Sequence, residues 1–170
     1  IIGTGTLKAD NPLLTSRGVS IPEPLRVVLT NSLDLPNNSR LWDLTTADTL
    51  VAYGPEANEE RLKVLSKEVE YLPLKEGTPQ ELLNQLAKKG CNQVLWECGS
   101  QLATTAIKEG CVQELAVVLA PKILGGHSCQ SPLGEFGFTE MDEVLKVGNR
   151  SLEKIGEDWV FRGSLSFKDN

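Results

Sequence analysis

Short apolar runs alternate with polar, amphipathic segments along the first two thirds of the chain. The runs at 25–30, 49–53 and 69–72 are rich in branched residues and bounded by turn residues, so they predict buried strands. Residues 57–68 carry leucines among charged side chains and predict an exposed amphipathic helix. Strands that alternate with helices over short connections are typical of a parallel sheet with helices packed on its faces.

A strong helix start follows at Thr78, where an N-cap hydroxyl precedes Pro79 at the first helical position and Glu81 at the third. Gly90 is a natural end for this helix. Beyond it the pattern predicts a strand, a helix and another strand, at 93–97, 100–109 and 114–120. The alternation of strands and helices therefore continues into the second half of the chain.

After residue 126 the pattern changes. Residues 143–154 and 158–167 alternate polar with apolar side chains and predict two long antiparallel strands joined near Gly156. We therefore expect an α/β fold with a mixed sheet, in which parallel units come first and an antiparallel hairpin last. The length of 170 residues suits one domain, 1–170, with one well-buried core.

The chain opens inside an apolar, strand-like run, and Thr4 and Thr6 alternate along the edge of the predicted strand. The neighbouring glycines resemble the start of a dinucleotide-binding fingerprint, but Lys8 occupies the place of the third glycine. The run is also expected to lead into a proline-containing turn that Asp10 caps, instead of into a helix. We therefore expect no Rossmann fingerprint here.

Composition narrows the classes of partner. A formal net charge of -6 argues against nonspecific binding to nucleic acid or an anionic membrane, and no stretch reaches the length of a membrane span. The single histidine, His127, lies in a glycine-rich loop, so we expect no bound metal and no Ser-His-Asp triad. The cysteines lack a C-x-x-C spacing and predict reduced thiols in a cytoplasmic protein: Cys91, Cys98, Cys111 and Cys129.

The strongest sign of chemistry lies at 94–110, where an apolar run ends in Glu97 and Gly99 and continues directly as a helix. The first backbone N–H groups of a helix lack intrahelical partners and lie at the positive end of its dipole. A phosphate group binds readily at such a place. The pattern therefore predicts a nucleotide or a phosphorylated metabolite. The alternative is that Glu97 only bonds the backbone of the next turn.

Four motifs occur in order along nearly the whole chain. They are GTGT at 3–6, ADNP at 9–12 with Leu14, Thr15 and Arg17, WECG at 96–99, and EL at 114–115 leading to APKILGG at 120–126. Together they resemble the reductase domain of the bifunctional riboflavin-biosynthesis deaminase/reductase, the RibD C-terminal domain family. The resemblance implies a dihydrofolate-reductase-like fold with a mostly parallel central sheet, flanking helices and a C-terminal antiparallel hairpin. It also implies that a strand and a helix of the family, which precede these motifs, are absent from the chain.

The same resemblance implies an NADPH-dependent reduction of 5-amino-6-(5-phosphoribosylamino)uracil to the ribitylamino product. The ribose opens to an imine and a hydride from the nicotinamide attacks its C1 carbon, so catalysis would consist mostly of positioning two bound molecules. A homodimer and fusion to an upstream deaminase domain are further implications. In the hairpin, Phe161, Leu165 and Phe167 would offer an apolar surface for a twofold dimer.

Matching the motifs residue by residue assigns two sets of contacts. Leu14, Arg17 and Glu97 fall at substrate positions, and the planar fork of Arg17, which its hydroxyl neighbours at 15 and 16 would orient, suits the ribose phosphate. The NADPH positions are Thr6, Asp10 and Asn31, with Gly99, Ser100, Gln101, Leu102, Ala103, Thr104 and Thr105 at the helix start. The catalytic residue stays open, with Glu97 as the candidate for proton transfer.

Two alternatives remain beside this hypothesis. The chain could be a reductase of the same fold that acts on another pterin-like or pyrimidine substrate. It could also be a noncatalytic domain, retained for dimerisation or for stabilising an attached deaminase. Lys8 and Cys98 keep the first alternative open, because they differ from the residues that are usual at these positions in the family.

Overall fold

The computed structural model of the protein describes residues 1–123, 125 and 131–165. The predictions that concern Gly126, His127, Cys129 and Phe167 lie outside these residues. None of the helices in the described ranges is long and apolar enough to cross a membrane.

Four parallel strands form the first sheet, in the order in which they follow along the chain. They are β1 (Ile2–Gly3), β2 (Arg26–Thr30), β3 (Thr49–Tyr53) and β4 (Glu70–Pro73). Within the described ranges, three α-helices accompany them: α1 (Thr4–Asp10), α2 (Pro79–Lys88) and α3 (Ser100–Lys108). Two short 3-10 helices, Arg40–Trp42 and Glu59–Lys63, lie in the connections that follow β2 and β3.

Three antiparallel strands form the second sheet, with β7 between β5 and β6. They are β5 (Glu114–Leu119), β6 (Val147–Ile155) and β7 (Asp158–Leu165). The predicted hairpin and its turn at Gly156, which has a φ of +63°, are confirmed. The predicted α/β fold class is also confirmed, although its parallel and antiparallel strands form two sheets in the described residues.

The core lies on both faces of the parallel sheet, because every residue of β2 and β3 is buried. Val28 and Val51 point into one apolar cluster, which Leu7 of α1 completes. Their neighbours along the strands point into the other, which is closed by Leu82 and Leu86 of α2. Continuous apolar runs therefore became the two central strands, as the sequence predicted.

The predicted start of α2 is confirmed. The Thr78 hydroxyl accepts the N–H of Glu81 at 3.2 Å. The Glu81 carboxylate in turn accepts the N–H groups of Glu76 and Lys75, each at 2.8 Å, and these bonds hold the pKa of Glu81 below its usual value. A locally complete set of capping bonds explains why this helix was predictable.

The amphipathic helix predicted at 57–68 is wrong. The segment forms only the 3-10 helix Glu59–Lys63, which starts where the Asn58 side chain accepts the N–H of Glu60 at 3.1 Å. Leu62 and Leu65 pack against the core, but two leucines make an apolar stripe too narrow to fix a longer helix.

The strand edge predicted at Thr4 and Thr6 is also wrong, because both residues lie in α1. The helix ends at Asn11, whose φ of +41° is left-handed. Asn11, and not Asp10, is the cap residue, and its N–H donates to the Leu7 carbonyl at 3.1 Å. Its side-chain oxygen accepts the N–H of Arg40, at the start of the 3-10 helix Arg40–Trp42, at 2.9 Å. The expected absence of a helix after the glycines is therefore overturned, while Lys8 still occupies the place of the third fingerprint glycine.

Candidate functional site at the switch point of the sheet

The order of the parallel strands reverses next to β1. The chain passes outward from β1 to β4 and returns through α2 to the other side of β1, where residues 93–97 run. Glu97 N–H donates to the Ile1 carbonyl at 2.9 Å, and Ile1 N donates to the Leu95 carbonyl at 2.6 Å. These bonds follow a parallel pattern, but 93–97 is not a regular strand, so that prediction is wrong in detail. Open α/β sheets bind ligands at such switch points, beyond the carboxyl ends of the strands.

Two helices begin side by side at this switch point. Helix α1 follows β1 directly, and α3 follows Gly99. The Gly99 N–H donates to the Thr6 hydroxyl oxygen at 3.1 Å. A Cβ atom on Gly3 would lie only 3.4 Å from Leu102 Cδ2, so the two helix starts are closely packed. The structure therefore brings together Thr6 and Gly99, two of the residues predicted to contact the cofactor.

The N-terminus of α3 is open to an anion. Gly99 is its N-cap residue and supplies no side-chain cap. In the part of the chain that the structure describes, the N–H groups of Ser100, Gln101 and Leu102 have no hydrogen-bond partner outside the helix. These groups lie at the positive end of the helix dipole. A Cβ atom on Gly99 would approach only Thr6 Oγ1, at 3.7 Å, so nothing obstructs the helix start at this position. The site therefore fits a phosphate or pyrophosphate group.

The side chains further along α3 have partners within the protein. Thr104 is buried, and its hydroxyl accepts the N–H of Gly134 at 2.8 Å. Thr105 donates to the Gln101 carbonyl at 3.0 Å, and Leu102 packs against the core. Ala103 is half-buried. A cofactor contact from this region is therefore simplest through the backbone N–H groups of the first turn, and the side-chain contacts stay predictions.

Asn31 lies at the same edge of the sheet, just after β2, whereas Asp10 does not. The Asn31 side-chain oxygen lies against Gly54 and Gly77, which follow β3 and β4. Gly77 has a φ of +71°, and a Cβ atom there would come within 2.9 Å of the Gly54 backbone, so this close approach requires glycine. Asp10 ends α1 and is exposed, with α1 leading it away from the edge where Thr6 lies.

An apolar cleft of about 440 Å³ holds two of the three predicted substrate residues, Leu14 and Glu97. Leu14 has a left-handed φ of +51°, and the Glu97 carboxylate is exposed while its backbone is bonded to Ile1. The remaining lining residues come from the chain start, the 15–27 region and the end of α2: Ile1, Thr15, Ser16, Pro24, Leu25, Val27, Leu86, Cys91, Gln93, Val94 and Leu95. Arg17 does not line the cleft, but the three residues before it do.

The hydroxyl groups next to Arg17 do not orient it, contrary to the prediction. The Ser16 hydroxyl instead accepts the N–H of Ser20 at 3.0 Å. Sequence reasoning missed Glu23, whose carboxylate accepts the N–H groups of Ser16 at 2.6 Å and Gly18 at 3.2 Å. The hydrogen bond from Ser16 lowers the pKa of Glu23. Gly18 after Arg17 was a signal for a left-handed turn, but nothing local identifies its partner.

The described residues contain no cluster of His, Cys, Asp and Glu that could hold a metal ion. Cys98, which stands between Glu97 and Gly99, is half-buried, and burial raises the pKa of its thiol. A raised pKa disfavours the nucleophilic thiolate at neutral pH.

Comparison with known proteins gives one family. The model of the RibD C-terminal domain matches residues 1–161. The chain is 46% identical to the riboflavin biosynthesis protein RibD of Synechocystis sp. over 100% of its own length and 46% of that protein. It is 36% identical to the chloroplastic riboflavin biosynthesis protein PYRR of Arabidopsis thaliana, over 97% and 28% of the two lengths. The chain thus spans less than half the length of these curated relatives.

The fold of the chain is also similar to that of a solved RibD structure. Acinetobacter baumannii RibD, form 1, superposes with a TM-score of 0.76 at 23% sequence identity, over 98% of this chain and 46% of that one. At this low sequence identity, the structural similarity is evidence for the fold alone. It agrees with the parallel sheet, flanking helices and antiparallel hairpin described above.

Proposed function

The chain belongs to the RibD C-terminal domain family, and we propose that the protein carrying it reduces 5-amino-6-(5-phosphoribosylamino)uracil with NADPH in riboflavin biosynthesis. The observation that carries the proposal is the junction at the switch point. There the uncapped start of α3 adjoins Thr6. Glu97, which two residues separate from the start of this helix, lines the cleft together with Leu14. The segment 93–97 thus borders the cleft for one ligand along its length and leads at its end into the helix start that can bind a dinucleotide.

The backbone supports the choice of a dinucleotide. The free N–H groups at 100–102 can bond pyrophosphate oxygens, and Thr6 holds the loop before them through Gly99. When bound, the cofactor supplies the hydride for the ribose carbon. The residues of this chain bind, orient and exclude water, so their contribution is positioning.

Three side chains are assigned to the substrate. Leu14 offers an apolar contact in the cleft, and Glu97 can accept hydrogen bonds from pyrimidine or ribose donors. Arg17 suits the ribose phosphate, because its guanidinium can bond two phosphate oxygens at once. We keep Glu97 as the candidate for proton transfer, since it is the carboxylate that lines the cleft.

The assay for this function uses the full-length protein that carries the chain, with NADPH and the phosphoribosylaminouracil. Loss of nicotinamide absorbance at fixed enzyme and varied substrate supports the proposal. NADPH binding without turnover would instead favour a related reductase with another substrate, and neither binding nor turnover would favour a noncatalytic domain. Repeating the titration with NADH tests the preference for the phosphorylated cofactor.

Replacing Gly99 by aspartate is expected to raise the KM for NADPH about tenfold without unfolding the protein. The backbone at Gly99, with a φ of -68° and a ψ of 170°, accepts any residue. An aspartate there would cap the N–H groups of the first turn and repel a phosphate, while α3 itself keeps or slightly gains stability. Steady-state kinetics and thermal unfolding measure the two effects.

Gly99→Ala is the matched control, because its methyl group would meet only Thr6 Oγ1 at 3.7 Å. We expect this variant to bind NADPH nearly as the parent protein does. An unchanged KM for NADPH in Gly99→Asp would contradict the assignment of the helix start to the cofactor.

We further propose that the exposed face of the antiparallel sheet pairs with a second copy of the chain. Val117, Leu119, Leu152 and Trp159 project from this face, and they are 40–57% exposed. Phe161 and Leu165 share it, as alternate residues of β7 do. A contiguous apolar patch of this kind is typical of an interaction surface, and a twofold contact covers the same patch on both copies.

Leu119→Lys is expected to convert the dimer to a monomer, measured by sedimentation equilibrium. Val118→Lys is the matched control, because Val118 is 62% exposed but points to the opposite face of the same strand. A monomeric parent protein, or equal effects of the two substitutions, would contradict the dimer.

The full-length protein is also proposed to contain a deaminase domain. The curated RibD relative is more than twice as long as the region that this chain matches, which leaves room for such a domain.

A further inference from the structure

The loop at 14–23 is held in a conformation that its residues disfavour. Arg17 has a φ of +55° and Leu14 a φ of +51°, both in the left-handed region. For a residue with a side chain, this region is unfavourable because Cβ approaches the following carbonyl oxygen. Such residues persist only where surrounding contacts hold them, and they concentrate at ligand sites.

The contact that holds Arg17 comes from a residue further along the loop. Glu23 uses one carboxylate oxygen for the N–H of Ser16, at 2.6 Å, and the other for the N–H of Gly18, at 3.2 Å. The carboxylate therefore bridges the residues on both sides of Arg17. Successive N–H groups around a left-handed residue form a concave anion-binding site, and here the anion is part of the chain.

The Arg17 side chain is left available by this arrangement. It is exposed, and within the described residues it makes no hydrogen bond or ion pair. The preceding residues, Leu14, Thr15 and Ser16, all line the cleft. The loop conformation thus sets where the guanidinium stands relative to a ligand in that cleft.

We propose that Glu23 is a positioning residue, which holds Arg17 in its left-handed conformation so that the guanidinium meets the phosphate of the substrate. This role rests on the proposed function, because it requires a phosphorylated substrate in the cleft. Glu23 itself does not touch the substrate. It acts through the backbone on either side of Arg17.

The experiment compares Glu23→Gln with the parent protein in the full-length enzyme. The amide keeps one acceptor oxygen but presents an NH₂ group to the second N–H, so the bridge is broken. We expect the KM for the phosphorylated substrate to rise about threefold to tenfold, with kcat and the KM for NADPH unchanged. Glu23→Asp, which keeps the charge on a shorter side chain, should restore part of the loss.

Glu143→Gln is the matched control. Glu143 also accepts two loop N–H groups, from Thr139 at 2.8 Å and Glu140 at 3.2 Å, but no residue of that loop lines the cleft. Its substitution should leave all three kinetic constants unchanged. Thermal unfolding of each variant checks that the fold is retained.

A double-mutant cycle with Arg17→Ala decides whether Glu23 acts through Arg17. In the Arg17→Ala background, Glu23→Gln should have no further effect on the KM. With a substrate analogue that lacks the phosphate, Glu23→Gln should likewise have no effect. Additive effects in the cycle, an equal loss with the dephosphorylated analogue, or an unchanged KM in the single variant would each overturn the role of Glu23.

Failure of the proposed function gives a different result. In that case the parent protein itself would not oxidise NADPH with the phosphorylated substrate, and the role of Glu23 toward that substrate would fall with it. A parent protein that turns over, with a normal response to Arg17→Ala and additive behaviour of Glu23→Gln, would overturn the positioning role alone.

Discussion

Replacing Arg17 by alanine is expected to raise the KM for the phosphorylated substrate about 10- to 100-fold. The substitution removes a charge-assisted, two-pronged contact to a phosphate, which contributes roughly 1.5 to 3 kcal/mol. The KM for NADPH should stay within about twofold, since the cofactor is assigned to the start of α3. Steady-state kinetics with each ligand varied in turn measures both constants.

Two further substitutions sharpen this test. Arg17→Lys keeps the positive charge but loses the planar fork, so its KM should lie between those of the parent and Arg17→Ala. Arg40→Ala removes an exposed arginine outside the cleft and should leave the substrate KM unchanged. Equal increases in the substrate and NADPH constants in Arg17→Ala would contradict the assignment of Arg17 to the substrate.

Replacing Arg26 by methionine is expected to lower the free energy of unfolding by about 3 to 5 kcal/mol. Arg26 is 1% exposed, although it belongs to the central strand β2. Its Nη2 lies within hydrogen-bonding distance of the carbonyl oxygens of Leu41 at 3.0 Å, Asp43 at 2.9 Å and Ala47 at 2.5 Å, so its two N–H groups are shared among three acceptors. Methionine fills a similar volume but takes the donor away from the Asp43 and Ala47 carbonyl groups, and each unsatisfied group is unfavourable. The Leu41 carbonyl keeps the hydrogen bond from the Thr49 hydroxyl.

Urea unfolding of the variants measures this effect. Arg26→Lys retains a cation with three donors and should recover part of the lost stability. Thr49→Val is the control for a single bond, because the Thr49 hydroxyl donates only to the Leu41 carbonyl, at 2.7 Å, and its loss should amount to about 1 kcal/mol. An Arg26→Met variant as stable as the parent would contradict the structural role of this guanidinium.

Arg26 also shows a limit of sequence reasoning. In the sequence it is the second residue of the apolar run at 25–30, and nothing distinguishes it from a charged residue near the exposed end of a strand. Burial lowers the pKa of its guanidinium, and the nearby carboxylates of Asp43 and Asp48 oppose this. The carbonyl groups that satisfy it come from a loop 15 to 21 residues further on, so no local pattern could identify them.

Two errors in the predicted elements share one cause. The helix predicted at 57–68 and the strand predicted at Thr4 and Thr6 were inferred from spacing alone. In contrast, α2 begins at Thr78 as predicted, because its capping bonds join residues that are neighbours in the chain. Propensity is a weak guide where the bonds that decide an element come from elsewhere.

The candidate site likewise has one part that could be predicted from the sequence and another that could not. The helix start after Gly99 was predictable, because an unpaired first turn is a property of any helix. Its contact with Thr6 joins residues 93 positions apart, and the cleft joins Leu14 to Glu97. Both depend on the return of the chain to the free side of β1, which no local signal specifies.

By itself, the sequence determined the buried strands β2 and β3, the helices α2 and α3, the terminal hairpin and the family. These depend on hydrophobic period, capping residues and motifs, which are read over short stretches of chain. Only the tertiary structure decided that Glu23 bridges Arg17, that Arg26 is buried, and that two helix starts meet at the switch point. Such contacts arise from the order of strands in the sheet and from loop closure. No local sequence pattern therefore identifies which two residues will meet.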